Sequence, residues 1–302
     1  MENNLSDKNE NKEKKGRGVS HSKIILMGEH SVVYGYPAIA IPLKNIRMEC
    51  IVERATVPFI HNKKDTLSTA IYTALNYLNK ENENIKYKVV SDIPPKRGMG
   101  SSAAVSIAAI RGVLDYFNTE VDNLTLEKLV NEAEIIAHNT PSGLDAKTCL
   151  SDSAIKFIKN KGFKNLKMNL GAYLLIADTG IHGHTRDAIM NIKNMGDRAI
   201  PMLEKLGKLT EETEKFIEEK DVINIGKNMI SAHGELKKLG VSIKKSDVLV
   251  KTAIDEGAYG AKMSGGGLGG CIIALMESRE KAEMTGKKLM EKGAVNIWIE
   301  AL

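Results

Sequence analysis

Apolar residues are scarce in the first eighteen positions, MENNLSDKNENKEKKGRG, and then recur in short runs separated by turn residues. A segment with so little to bury cannot offset the entropy of ordering it, so residues 1–18 read as a disordered leader. From Ser20 the runs 24–27, 38–41 and 48–52 have the length and composition of strands, whereas 66–78 carries a helical period. Residues 86–90 read as another strand, ended by Pro94-Pro95, because proline lacks a ladder donor and restricts the residue before it. Gly98-Met99-Gly100-Ser101-Ser102 then opens 103–114, apolar on nearly every side, which predicts a buried helix.

A second helix is predicted over 126–137, with Thr125 as its cap and Leu126, Leu129, Val130, Ala133, Ile136 and Ala137 on one stripe, stopping before Pro141. After a strand over 173–177 the chain reads as mainly helical to about 239. It then alternates again, with strands over 261–263, 271–276 and 295–300 and a helix over 279–292. No internal repeat is visible. The pattern predicts a mixed α and β fold with a soft boundary near residue 170, dividing 19–170 from 171–302.

With 302 residues the chain is longer than a typical single core, so two domains or one large unit are expected. Its 42% hydrophobic and 27% charged residues are ordinary for a globular protein and name no function. The net charge of +5 is spread through mixed-charge stretches such as 211–220 and 281–292, the pattern of a solvated face and not of a nucleic-acid surface. Cys50, Cys149 and Cys271 are far apart and odd in number, which argues against a disulfide framework or a zinc site and fits a reducing cytosol. No stretch approaches the ~20 apolar residues of a membrane span, and the polar start is unlike a signal peptide. A cytoplasmic protein with no membrane partner is expected.

The strongest chemical signal is Pro94-Pro95-Lys96-Arg97-Gly98-Met99-Gly100-Ser101-Ser102-Ala103, which places glycines and two hydroxyls where a buried helix begins. Backbone N–H groups and the positive helix end then point at one spot, an anion site. No lysine precedes the serines, so this is not a P-loop of the G-x-x-x-x-G-K-[ST] kind. It matches G-x-G-x-x-A, but the dinucleotide fingerprint needs a strand directly before it and an acid-bearing strand after it. Close packing of two elements is the plainer alternative.

Glu134 lies at the edge of the apolar stripe of the second predicted helix, where a carboxylate needs a partner: Mg²⁺ beside phosphate oxygens, a lysine, or solvent. The turn His138-Asn139-Thr140-Pro141-Ser142-Gly143-Leu144-Asp145 holds Asp145 in a fixed place, as a general base toward a hydroxyl or as a helix cap. Met263-Ser264-Gly265-Gly266-Gly267-Leu268-Gly269-Gly270 leads into a strand, which excludes a P-loop and leaves close backbone approach or a linker. Lys23 stands on an apolar strand before a turn bearing Glu29 and His30, and polar groups at strand ends often line a cleft. Taken alone, His30 reads as a structural histidine.

Together, and in this order, these runs resemble the three motifs of the GHMP kinase superfamily, over about residues 20–302. The segment KIILMGEHSVVYGYPAIA is similar to the mevalonate kinase branch: galactokinases follow Gly-Glu-His with Thr-Asp-Tyr where this chain has Ser31-Val32-Val33, and phosphomevalonate kinases tend to carry Tyr at the place of His30. The resemblance implies an α+β two-domain fold, with an N-terminal domain like one in a small-subunit ribosomal protein and a ferredoxin-like C-terminal domain. It implies ATP-dependent phosphorylation of the C5 hydroxyl of mevalonate.

Carried onto matching positions, the resemblance assigns Pro95, Gly98, Met99, Gly100, Ser101, Ser102 and Ala103, with Gly266 and Gly267, to the ATP phosphates. It assigns Ser102 and Glu134 to Mg²⁺, Asp145 to the catalytic base, and Lys23 to the substrate hydroxyl and the transferred charge. Glu29, His30 and Thr185 would line the mevalonate pocket. Met99 replaces the commoner leucine, a volume-conserving change. The implied partners are ATP and mevalonate, with the chain a monomer or homodimer. A sibling kinase for another alcohol, a non-catalytic member of the superfamily and a nicotinamide-dependent oxidoreductase are the alternatives.

Overall fold

The computed structural model describes residues 14–138 and 143–302, without the side chains of 136–138. The greater part of the expected leader and the turn at 139–142 lie outside the described residues, as do the side chains of the last two positions of the predicted apolar stripe. Five antiparallel strands form the first sheet: β1 (Lys15–Met27), β2 (Ala38–Arg54), β3 (Ile85–Ser91), β4 (Ala154–Ile158) and β5 (Gly162–Leu166). Strand β2 pairs with β1 along one edge; on the other, its start pairs with β4 and its end with β3. The predicted strands 38–41 and 48–52 are thus one element. Its first six residues are all buried and its second half alternates, with exposed Lys44 and Asn45 between them.

Strand β1 begins at Lys15, inside the segment assigned to a leader, and this corrects that assignment for residues 15–18. The alternation there runs through glycine: a Cβ on Gly16 would lie 2.3 Å from the Gly112 carbonyl oxygen, and one on Gly18 2.0 Å from that of Ala108. The strand lies directly on helix α2 (Ser101–Tyr116), and the Arg17 N–H donates to the Asp115 carboxylate at 2.7 Å. Packing without side chains leaves no hydrophobic pattern to read.

Helix α2 contributes eleven buried residues, as its apolar run predicts, and is flanked by α1 (Thr66–Tyr77), α3 (Asn123–His138) and α4 (Leu144–Leu150). The cap of α3 differs from expectation: Asp122 accepts from the Thr125 N–H at 2.7 Å, so the helix starts before Thr125.

The second sheet has the antiparallel order β7 (Gly260–Ser264), β8 (Cys271–Met276), β6 (Tyr173–Asp178), β9 (Asn296–Ala301). Helices α5 (Thr185–Met195), α6 (Ile200–Glu219), α7 (Val222–Lys238) and α8 (Lys244–Asp255) lie between β6 and β7, and α9 (Arg279–Glu291) between β8 and β9. A β-α-β-β-α-β order with this strand arrangement is ferredoxin-like, with an enlarged first crossover. Strands β4 and β5 and helix α8 escape the sequence pattern; β5 exposes four of its five residues.

One apolar cluster runs from the first sheet through α6 and α7 to Ile273 and Leu275 of the second. The Tyr36 ring sits against Gly207 of α6, where a Cβ would be 2.4 Å from it. Ser264 Oγ donates to the Ile25 carbonyl at 2.7 Å and accepts the Ile25 N–H at 3.2 Å, joining β7 to β1. A continuous apolar contact of this kind holds the two sheets in one register. No helix among the described residues is long and apolar enough to cross a membrane.

Candidate active site

The loop before α2 is pinned from below. Ser22 Oγ and the Lys23 N–H both donate to the Met99 carbonyl, at 2.8 and 3.2 Å, and the Met99 side chain is fully buried in the core. Gly100 has φ +71°, and a Cβ there would lie 2.8 Å from Lys23 Cγ, so the turn needs glycine on both counts. The chain then enters α2 with Ser101 and Ser102 at its positive end. Both serines line a cleft of about 620 Å³, together with Lys96, Arg97, Gly98, Thr185 and Gly266.

The facing wall is the glycine run. Gly265 approaches Gly98 so closely that a Cβ would meet Gly98 Cα at 2.9 Å. The Gly183 N–H donates to the Lys96 carbonyl at 2.8 Å, and the His184 N–H to that of Gly267 at 3.0 Å. Arg97 Nε lies 2.7 and 2.9 Å from the two oxygens of Asp178, at the end of β6, and both side chains are largely buried. Asp178 Oδ1 also accepts the Gly180 N–H at 2.7 Å, at the head of the loop that carries Thr185. The linker reading of this run therefore gives way to close backbone approach.

A second cavity, of about 280 Å³, adjoins the cleft and shares Gly98, Thr185 and Gly266 with it. Its polar side holds Lys23, Glu29, His30 and Asp145; Val32, Val33, Leu144 and Ile189 supply an apolar side. Lys23 is 2% exposed, and its Nζ lies 2.8 Å from Asp145 Oδ1 and 3.3 Å from the Gly98 carbonyl. The ammonium thus connects the glycine loop before α2 to the carboxylate. Asp145 stands in the first turn of α4 with its side chain 45% exposed, bonded to Lys23 and facing the cavity.

Glu29 is fully buried, with Oε1 ion-paired to Lys262 of β7 and Oε2 without a hydrogen-bond partner among the described residues. Burial pushes the Glu29 carboxyl upward and the Lys262 ammonium downward, and their mutual attraction opposes both shifts. His30 Nε2 is likewise buried and unmatched. Burial lowers the pKa of this ring to about 4, against a backbone hydrogen bond at Gly266, so it is neutral near pH 7. At φ +60° His30 occupies a left-handed conformation uncommon for a side-chain-bearing residue, and such strain clusters at ligand sites.

Glu134 is 7% exposed, and its Oε1 accepts from Ser102 Oγ at 2.9 Å and Ser106 Oγ at 3.2 Å. Two hydroxyls and a carboxylate beside the cleft form a hard oxygen set that fits Mg²⁺, an ion that takes few protein ligands and completes its shell with phosphate and water. No group of three His, Cys, Asp or Glu residues able to hold a metal occurs among the described residues.

Of the residues assigned to phosphate, Gly98, Ser101, Ser102 and Gly266 line the cleft. Met99 and Ala103 point into the core, and exposed Pro95 and backbone-packed Gly267 line neither cavity. Sequence reasoning missed Lys262, Ser106 and the Arg97–Asp178 clasp. Lys262 carried a signal, being a lone charge in the apolar strand before the glycine run.

A family model described as GHMP kinases N terminal domain matches residues 68–152, and one described as GHMP kinases C terminal matches 213–293. The mevalonate kinase of Pyrococcus furiosus is 32% identical over 89% of this chain and 91% of its own. The crystal structure of mevalonate kinase from methicillin-resistant Staphylococcus aureus is 30% identical, with a TM-score of 0.75 over 96% of this chain and 99% of that one. That of L. major mevalonate kinase in complex with R-mevalonate has a TM-score of 0.84 over 95% and 96% of the two chains; at 24% identity it speaks to the fold alone. The matched domains, the full-length relative and the geometry of the cleft agree, and the chain belongs to the GHMP kinase family.

Proposed function

We propose that this chain transfers the γ-phosphoryl group of ATP to the C5 hydroxyl of mevalonate, giving 5-phosphomevalonate and ADP. The observation that carries the reading is the junction of the two cavities, where Lys23 reaches both the phosphate loop and Asp145. We take the two sheets as the cores of two domains, 15–170 and 171–302, with the reaction between them. Three buried free thiols suit a cytoplasmic setting.

Phosphoryl transfer asks for positioning and neutralisation, because charge in its loose transition state is spread over the γ-oxygens. The start of α2 and the hydroxyls of Ser101 and Ser102 face the triphosphate. Mg²⁺, held by Ser102 and Glu134, would neutralise phosphate charge there. Asp145 accepts the proton of the attacking hydroxyl, a role worth roughly 10²- to 10⁴-fold. Lys23 orients that carboxylate and places its positive charge next to the oxygen being phosphorylated. Glu29 Oε2 and His30 Nε2, both buried and without hydrogen-bond partners among the described residues, face the polar groups of the substrate, while Val32, Val33, Leu144 and Ile189 suit its hydrocarbon.

The test is the position of the new phosphate. Phosphorus NMR of the product should show a phosphomonoester coupled to the two protons of the C5 methylene. A phosphate on the tertiary C3 oxygen, which has no such protons, would overturn the proposed orientation.

A further inference from the structure

Glu29 enters the pocket from the turn after β1, but what fixes it comes from the other sheet. The Lys262 side chain is fully buried on β7; its Nζ donates to Glu29 Oε1 and, at 2.8 Å, to the carbonyl of Met263. With one carboxylate oxygen engaged, the other is left buried, unmatched among the described residues and on a residue of the pocket wall. A carboxylate without that cation would be costly to keep charged in so dry a place.

We infer that Lys262 is a positioning residue of the alcohol pocket, holding Glu29 as an ionised acceptor with Oε2 turned toward a hydroxyl of the substrate. This rests on the alcohol-kinase reading above and adds to it a residue that touches no substrate atom itself. Lys262 stands two residues before Ser264, which bonds β1, and three before Gly265, which packs on the phosphate loop. The strand that supports the phosphate loop thereby also sets the charge of the acceptor.

Lys262 in this role affects alcohol binding only through Glu29. The charged and titratable groups around the pair are Lys23 on β1, His30 in the same turn and His233 on α7, and the variants leave all three in place. Lys262→Met should raise the KM for the alcohol roughly 10- to 100-fold, the equivalent of a hydrogen bond to a charged group, and leave the KM for ATP within about threefold. Because burial pushes the Glu29 carboxyl upward and Lys262 opposes that shift, loss of the ammonium moves the carboxyl further up, and the defect should shrink as pH is raised. Glu29→Gln should raise the same KM, and adding Lys262→Met to it should cause little further change.

The experiment is this two-residue cycle, with steady-state constants measured for both substrates. It uses whichever of mevalonate, phosphomevalonate, galactose and homoserine the unaltered protein phosphorylates. The identity of that alcohol judges the proposed function; the cycle judges Lys262. If Lys262→Met alone does not fold, the charge-free pair Glu29→Gln/Lys262→Met is compared with Glu29→Gln, and equal alcohol KM values support the inference. An unchanged KM in Lys262→Met, a defect indifferent to pH, or a second large increase on top of Glu29→Gln would each overturn it.

Discussion

Replacing Asp145 with asparagine isolates the proton acceptor from its surroundings. The substitution is nearly isosteric and keeps an oxygen able to accept from Lys23 Nζ, which now lies 2.8 Å away. The Gly98 carbonyl, 3.3 Å from that ammonium, continues to hold it against the phosphate loop. What is lost is the basicity. General-base roles contribute roughly 10²- to 10⁴-fold, which corresponds to about 2.7–5.5 kcal/mol of barrier, and kcat should fall by that factor. Stability should hardly change: with the Asp145 side chain 45% exposed, solvent screens the pair, and its loss is worth about 1 kcal/mol or less, near 2 °C in Tm. Coupled measurement of ADP release, with the KM for ATP and a thermal melt on the same samples, separates the two effects. A kcat within threefold of the parent, in a folded variant, would refute the assignment of Asp145 as base.

Glu134→Gln should raise the Mg²⁺ concentration needed for half-maximal rate, since it weakens the carboxylate at the start of the nucleotide cleft; an unchanged Mg²⁺ titration would return Glu134 to a purely structural role as the acceptor of Ser102 and Ser106. Arg97→Met breaks a largely buried ion pair between the loop before α2 and β6, and should cost ~3–5 kcal/mol, seen as a Tm lower by roughly 5–10 °C; a shift under 2 °C would contradict the clasp. Burial lowers His30 and His233 to about 4 from an ordinary 6.5, so the unfolded chain binds the extra protons. The stability of these neutral rings is complete above pH 6.5 and is lost as pH falls toward 4, with on the order of 3 kcal/mol at stake for each. His233, which accepts the Met263 N–H at Nδ1 and faces Asp247 through Nε2, is the one to test: His233→Gln should lessen the drop in Tm between pH 6.5 and 4.5, and an identical drop would contradict its part in it.

The elements that bury side chains were the legible ones. Helix α2 follows from an apolar run behind Gly98-Met99-Gly100, and β6, β8 and α9 from ordinary strand and helix patterns. The start of β1 was hidden because Gly16 and Gly18 pack backbone on helix, leaving no apolar residue to count. Local chemistry left Glu134 and Asp145 with plainer alternatives and His30 as a structural histidine; it was the resemblance to a known family that singled out Lys23, Glu29, His30, Ser102, Glu134 and Asp145 together, and the structure brings each of them to or beside the two cavities. Partners contributed from across the fold were not legible. Nothing in the local sequence ties Arg97 to Asp178, 81 residues later, or Glu29 to Lys262, 233 residues later; only the docking of the two sheets brings them together. Met99 and Ala103 show the reverse, since a motif includes residues whose side chains serve the core while their backbone shapes the loop.

The most direct measurement is ADP release from Mg-ATP by the purified protein, with mevalonate, phosphomevalonate, galactose and homoserine compared side by side. Release that depends on mevalonate, and is far slower with the other three, is the expected result. Turnover that favours another of these alcohols, or the absence of turnover with all four, would contradict the proposed reaction.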